Sequence, residues 1–462
     1  MKTVVLLFSL VVATTLQADS AVELAERVDG LVQPYLDAGI FDAVSLGVVS
    51  GADHWTRHYG TLSGELDRPP NDDTIYELGS ITKVFTGILL ADAVVAGRVR
   101  LEQPIGELLP ELQQQNPDLG SSIRLRNLAI HDSGLPRMPA NFAPADPTNP
   151  YVDYDRQRMM DALLTFEPLR PPGAKFEYSN LAVGLLGQLL ALQAGQSYEE
   201  LLDQRILTPL KMSETGTSTD RSQQARLAPP HTVDRLADRN WDLNAFVGAG
   251  GIRSTTSDML RFIRANLFPS DDAVGQAIEL AWKQQAPASK ESFAMGLGWH
   301  IARDGETRWH NGQTGGYHTM LLIDRRSDSG VILLCNTATG EVDALAESII
   351  RVMAGATEQP RVFPAPVVID PATVARLSGE YRISPTFALT VRAAGEKLYV
   401  RATNQPEARV YPESETQWRY RIVDAKLTFD LPAQGPATGI KLHQNGLRLP
   451  GQRVSMPAPA AK

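Results

Sequence analysis

Cysteine is almost missing from this chain: Cys335 is the only one in 462 residues. A lone thiol excludes an internal disulfide framework and any clustered-cysteine metal site. It sits in the apolar run Val331-Ile332-Leu333-Leu334, where a thiol packs as a small hydrophobe and no neighbour would lower its pKa. No His-Glu-x-x-His occurs, nor any clustered cysteine–histidine pattern that would suggest zinc. Positive charge is short as well, with 44 Lys and Arg against 53 Asp and Glu and a net charge of −9. An acidic chain is a poor general partner for nucleic acid or anionic lipid. Long apolar runs are absent too, and the stretch at residues 4–13 is too short to span a bilayer.

That short run reads instead as part of a secretion signal over residues 1–18. Met1-Lys2-Thr3 gives the positive start and Ala18 a small residue for cleavage, although Leu16 fits the minus-three position weakly. Loss of Lys2 would take the charge from −9 to −10. No cysteine follows the leader to carry a lipid, so the expectation is an exported protein, periplasmic or secreted, with no stable membrane anchor. With 43% apolar and 21% charged residues the chain is globular, and its length calls for more than one structural unit.

Helical apolar spacing marks residues 21–38, and strand-like stretches follow at 44–49 and 54–59. Residues 84–96 are apolar on nearly every side and stop at Gly97, the pattern of a helix buried at a domain centre. From 98 to 244 the pattern is helical and loop-rich. Strand signals return at 308–310, 319–323 and 331–335 before a helix at 341–353. Early and late strands with helices between predict an α+β fold, a central antiparallel sheet flanked by helices with a helical lobe inserted over about 98–244. This unit is placed at 21–357. A proline-rich linker at 358–372 holds Pro360, Pro364, Pro366 and Pro371. Behind it, short alternating runs at 388–391, 398–401, 418–423 and 426–431 predict a small all-β, barrel-like domain at 373–455.

Three patterns carry chemistry. Gly79-Ser80-Ile81-Thr82-Lys83 directly precedes the buried helix, and Ser80 and Lys83 would share one face, a turn apart. A lysine packed on an apolar helix is desolvated, so its neutral amine can take the serine proton. Tyr178-Ser179-Asn180 enters the apolar helix at 181–191; Tyr178 can relay a proton, and Asn180 can bond both Lys83 and a substrate amide. His310-Asn311-Gly312 ends a strand, where His310 can donate to a substrate carbonyl or carboxylate and Gly312 admits a substrate backbone. Taken singly, the first two patterns also fit an N-cap serine and a capping asparagine. His58-Tyr59-Gly60 repeats the third pattern and reads as structural, and His318 reads as a strand residue facing solvent.

In this order, with Tyr76-Glu77-Leu78-Gly79, His131-Asp132-Ser133-Gly134-Leu135-Pro136 and the phrase at 248–254, the three patterns resemble the serine β-lactamase and D-Ala-D-Ala carboxypeptidase superfamily, class C type, over about residues 22–353. The resemblance implies a β-lactamase/transpeptidase-like fold. It implies that Ser80 is acylated, that Lys83 and Tyr178 move protons, that Asn180 positions substrate beside His310 and Gly312, and that no metal or organic cofactor is needed. The backbone N–H groups of Ser80 and Gln313 would form the oxyanion hole. Substrates would be β-lactams, D-amino-acid peptides or esters; a carboxylesterase and a slow-turnover penicillin-binding sensor stay open, as does the oligomeric state. The C-terminal part resembles the lipocalin-like appendages of some relatives. One departure stands out: class C enzymes are expected to carry Lys-Thr-Gly as the third motif, and none exists here. Histidine, with a usual pKa of about 6.5, is mostly neutral at pH 7. Weaker carboxylate recognition follows, and a larger proton-accepting role for Lys83 than for Tyr178.

Overall fold

The computed structural model describes residues 21–62, 68–287, 293–363 and 367–454, less residues 404, 406, 422, 424 and 445. The expected leader lies outside the described residues. Nine strands form two sheets before residue 340: β1 (Ala43–Ser50), β2 (Asp53–Gly60), β3 (Tyr76–Glu77), β4 (Arg253–Ser254), β5 (Ala294–Met295), β6 (His300–Ile301), β7 (Arg308–Gln313), β8 (His318–Asp324) and β9 (Ser329–Cys335). Strands β3 and β4 pair alone, and the other seven make an antiparallel sheet in the order β2-β1-β9-β8-β7-β6-β5. The early hairpin joins the late strands through β1 and β9, in register from Val44 opposite Cys335 to Ser50 opposite Ser329.

Strands β8 and β9 are buried at every position because helices cover both faces of the sheet. Side chains alternate as a strand requires: Val331, Leu333 and Cys335 pack with the helices Ala21–Asp37 and Glu341–Met353, while Ile332 and Leu334 join the larger core on the other side. The thiol of Cys335 is fully buried, and burial pushes its pKa up to about 12. The helix Thr82–Val95 runs through the larger core, buried from Thr82 to Ala93. Two helices that the sequence pattern did not reveal, Thr256–Leu267 and Ala273–Trp282, pack against the sheet and against this central helix.

The C-terminal unit is a closed barrel of eight strands: β10 (Gly379–Ser384), β11 (Phe387–Ala394), β12 (Lys397–Ala402), β13 (Glu407–Pro412), β14 (Gln417–Tyr420), β15 (Ala425–Asp430), β16 (Gly439–Gln444) and β17 (Leu447–Val454). It is not purely strand. Asp370 accepts from the Thr373 N–H at 3.1 Å and Pro371 opens a helix, Pro371–Leu377, so part of the expected linker is helical. Val374 and Leu377 of that helix enter the barrel core. The barrel touches the sheet-bearing unit through Asp234, whose carboxylate accepts from the Tyr411 hydroxyl at 2.7 Å and the Arg409 N–H at 3.1 Å. No helix among the described residues is long and apolar enough to cross a membrane.

Candidate active site

Ser80 lies in a single 3₁₀ turn, Gly79–Ile81, at the mouth of the central helix. Gly79 takes φ +53°, the left-handed region that a side chain disfavours. A β-carbon on it would stand 2.7 Å from the Gln313 amide nitrogen, which shows how closely the end of β7 approaches the serine turn. Gly312 is tighter still. A β-carbon there would stand 1.9 Å from the Leu78 carbonyl oxygen and 2.5 Å from Thr319 Oγ1. The glycine of the third motif is thus needed to seat the strand on the serine turn, a nearer reason than room for substrate. Gly312→Ala is expected to destabilise the protein by about 1–3 kcal/mol, since the clash falls on backbone that cannot yield. It should also slow acylation by displacing Gln313 from Ser80; a thermal melt and a labelling rate on the same preparation check both.

Lys83 is fully buried, and its Nζ lies 2.9 Å from Ser80 Oγ and 2.6 Å from the Ala249 carbonyl oxygen. Burial pulls its pKa well below the ordinary amine range, and the Arg137 guanidinium pushes the same way. A carbonyl can only accept, so one N–H goes to Ala249. With the amine neutral, the Ser80 hydroxyl can donate to the remaining lone pair. Sequence reasoning used the phrase at 248–254 only as a likeness; its physical content is this carbonyl, together with Gly248, whose carbonyl accepts from Thr86 at 2.6 Å.

Tyr178 stands over this pair, with the Lys83 Nζ 5.0 Å from its ring centre. Burial pushes its pKa up to about 12, while the Ser80 hydroxyl and the Arg137 charge pull it down. The phenol therefore holds its proton at neutral pH and suits a donor better than a base. His131, at φ +62°, stacks on Tyr178 at 4.4 Å and accepts the Ser179 N–H on Nδ1 at 3.1 Å. Its proton is consequently on Nε2.

Asn180, expected to bond Lys83, does not. Its side-chain amide faces Met138 Sδ at 3.8 Å and Tyr151, while its backbone N–H donates to the Arg137 carbonyl at 3.0 Å. His310 also departs from expectation. It is fully buried, and its Nδ1 is committed to the Asn311 carbonyl. A neutral ring so held presents Nε2 as an acceptor, so it cannot donate to a substrate carboxylate. That Nε2 is buried without a partner, as are His131 Nε2 and both ring nitrogens of His300. His300, which sequence reasoning missed, stacks on His310 at 4.7 Å. Burial drives the pKa of His300 down to about 3 and those of His131 and His310 well below the usual value. Among the described residues no His, Cys, Asp or Glu group is arranged to hold a metal ion.

Of the other histidines, His318 does not face solvent: it is 3% exposed and lies between Gln313 Oε1 at 3.1 Å and Asp343 Oδ1 at 2.7 Å. Asp343 also accepts from Asn311 at 2.7 Å, so the network braces both ends of the third motif from the helix Glu341–Met353. His58 lies between Ser45 and Asp72, at 2.9 Å from each.

Known proteins share sequence and fold with this chain. The chain is 27% identical over 387 residues to the D-alanyl-D-alanine-carboxypeptidase/endopeptidase AmpH of Escherichia coli (strain K12), covering 78% of this chain and 99% of that protein. It is 26% identical over 288 residues to a beta-lactamase of Pseudomonas fluorescens, covering 61% of this chain and 75% of the relative. Solved structures share the fold: a class C beta-lactamase at TM-score 0.65 and 20% identity covers 73% of this chain and 97% of its own. The D-alanine carboxypeptidase AmpC from Burkholderia cenocepacia matches at TM-score 0.63 and 23% identity, over 72% of this chain and 100% of its own. The Beta-lactamase family model matches residues 28–354. With the serine turn, the buried lysine and the sheet that carries them, this chain belongs to the beta-lactamase family and is a serine hydrolase.

Proposed function

We propose that Ser80 is the nucleophile of an acyl-enzyme mechanism that hydrolyses an amide, a β-lactam or a D-amino-acid peptide, with Lys83 as the base that activates it. The observation that carries this reading is the buried Lys83 amine 2.9 Å from Ser80 Oγ. Attack forms the bond from Ser80 Oγ to the acyl carbon while Lys83 takes the hydroxyl proton. In this reading Tyr178 gives its proton to the leaving nitrogen and is reprotonated by Lys83, while the Ser80 and Gln313 N–H groups hold the oxyanion. Water then releases the acid. Export of the mature chain belongs to the same reading and rests on the leader-like residues 1–18. A second reading, a carboxylesterase using the same residues, is favoured by one fact: His310 offers no cation for a substrate carboxylate.

The test is a time course of intact mass after addition of a penicillin to the mature chain, with Ser80→Ala alongside. A mass gain of one penicillin on the wild type alone, decaying with time, is the expected result; a persistent adduct would identify a slow-turnover binder. No adduct, with p-nitrophenyl esters still hydrolysed, would leave the esterase.

A further inference from the structure

The third motif carries His310 where class C enzymes are expected to have lysine, so it brings no cation to the site. His310 cannot replace that lysine, being buried and an acceptor, and Lys83 is occupied by Ser80 and Ala249. Among the described residues, one other cation, Arg137, reaches the centre. Arg137 follows the phrase at 131–136, is exposed, and holds its guanidinium carbon 5.2 Å from the Tyr178 ring centre. Among the described residues its guanidinium makes no ion pair or hydrogen bond. Its backbone is nonetheless fixed: the Arg137 carbonyl accepts the N–H groups of Asn180 at 3.0 Å and Leu181 at 3.3 Å, which ties it to the second motif.

We propose that the Arg137 guanidinium is the carboxylate-binding cation of this site, contributed by the helical region in place of strand β7, and that it selects peptides ending in a free D-amino-acid carboxylate. This rests on the amide-hydrolysing reading of Ser80. The physical reasons are simple. An unpaired guanidinium has a planar fork of donors that matches a carboxylate in two bonds, and such charge-assisted pairs are about twice as strong as neutral ones. An exposed guanidinium that makes no ion pair or hydrogen bond among the described residues, and only lies over the Tyr178 ring, retains that capacity for ligand. Its tie to Asn180 keeps it in register with Tyr178 and hence with Ser80.

The experiment measures binding apart from turnover. In the unreactive Ser80→Ala variant, N-acetyl-D-alanyl-D-alanine and its C-terminal amide are titrated by calorimetry, with and without Arg137→Gln and Arg137→Lys. The acid is expected to bind about 10-fold or more tighter than the amide, a preference that falls to about one with glutamine and recovers in part with lysine. Equal binding of acid and amide, binding of neither, or a preference that survives Arg137→Gln would overturn the assignment. Failure of the parent reading shows elsewhere, as wild-type protein that binds the acid but never cleaves it.

Discussion

Lys83→Ala is expected to slow acylation of Ser80 by about three to four orders of magnitude, and Tyr178→Phe by only about one to two. The difference follows from where each proton sits. Burial, with Arg137 beside it, pulls the pKa of Lys83 well below the ordinary amine range, and its Nζ lies 2.9 Å from Ser80 Oγ. The Tyr178 phenol is held protonated, its pKa near 12. On the proposed mechanism, removing the tyrosine costs a donor to the leaving group, whereas removing the lysine costs the base itself. Lys83→Met, which keeps most of the packing, separates chemistry from folding and should fail as badly as alanine. With a neutral amine as base, the acylation rate should be flat at neutral pH and fall as acid protonates Lys83. Stopped-flow labelling of the variants across pH checks this, and equal losses for lysine and tyrosine would reassign the base.

Acid should also destabilise the fold steeply, well before the carboxylates titrate. His131, His300 and His310 are at most 5% exposed and have lowered pKa values, so they stay neutral in the folded protein where the unfolded chain takes up protons. Below pH ~6.5 the unfolded state therefore binds more protons, and stability falls with falling pH. Each of the three contributes about 1.4 kcal/mol per pH unit, a loss that continues for His300 down to about pH 3. Glu77, Asp132 and Asp258, pushed up by burial, act in the opposite sense nearer the carboxylate range. The histidines' loss begins at about pH 6.5, above the ordinary carboxylate range. Urea unfolding at about pH 7 and about pH 5 should differ by several kcal/mol, with His300→Phe removing roughly one third of the slope. An unchanged midpoint across that window would show that these rings are hydrated in solution.

Much of this was legible in the residues. The helix at 341–353 matches its expected span, and the buried helix and late strands were plain because apolar runs covered on both faces leave little ambiguity. The Ser80–Lys83 pair could be read because a helical turn fixes its geometry locally. What escaped depended on distant chain. Ala249 contributes a carbonyl, which no side-chain pattern announces. His300 matters through its stack on His310, and Arg137 through a backbone tie to Asn180 43 residues on. In the barrel, β13, β16 and β17 carry proline or glycine within or at the strand, which blurred the alternation.

The pairing of β1 with β9 has a consequence for how the polypeptide is made. Val44 finds its partner only when Cys335 has left the ribosome, so the nascent sheet waits, with β1 and β2 as a lone hairpin, for most of synthesis. The barrel has the opposite economy: its strands pair with sequence neighbours, and only β10 with β17 closes a long loop. It emerges after every strand of the larger sheet and has the shorter search for its partners, so its folding need not wait on distant chain as that of β1 does.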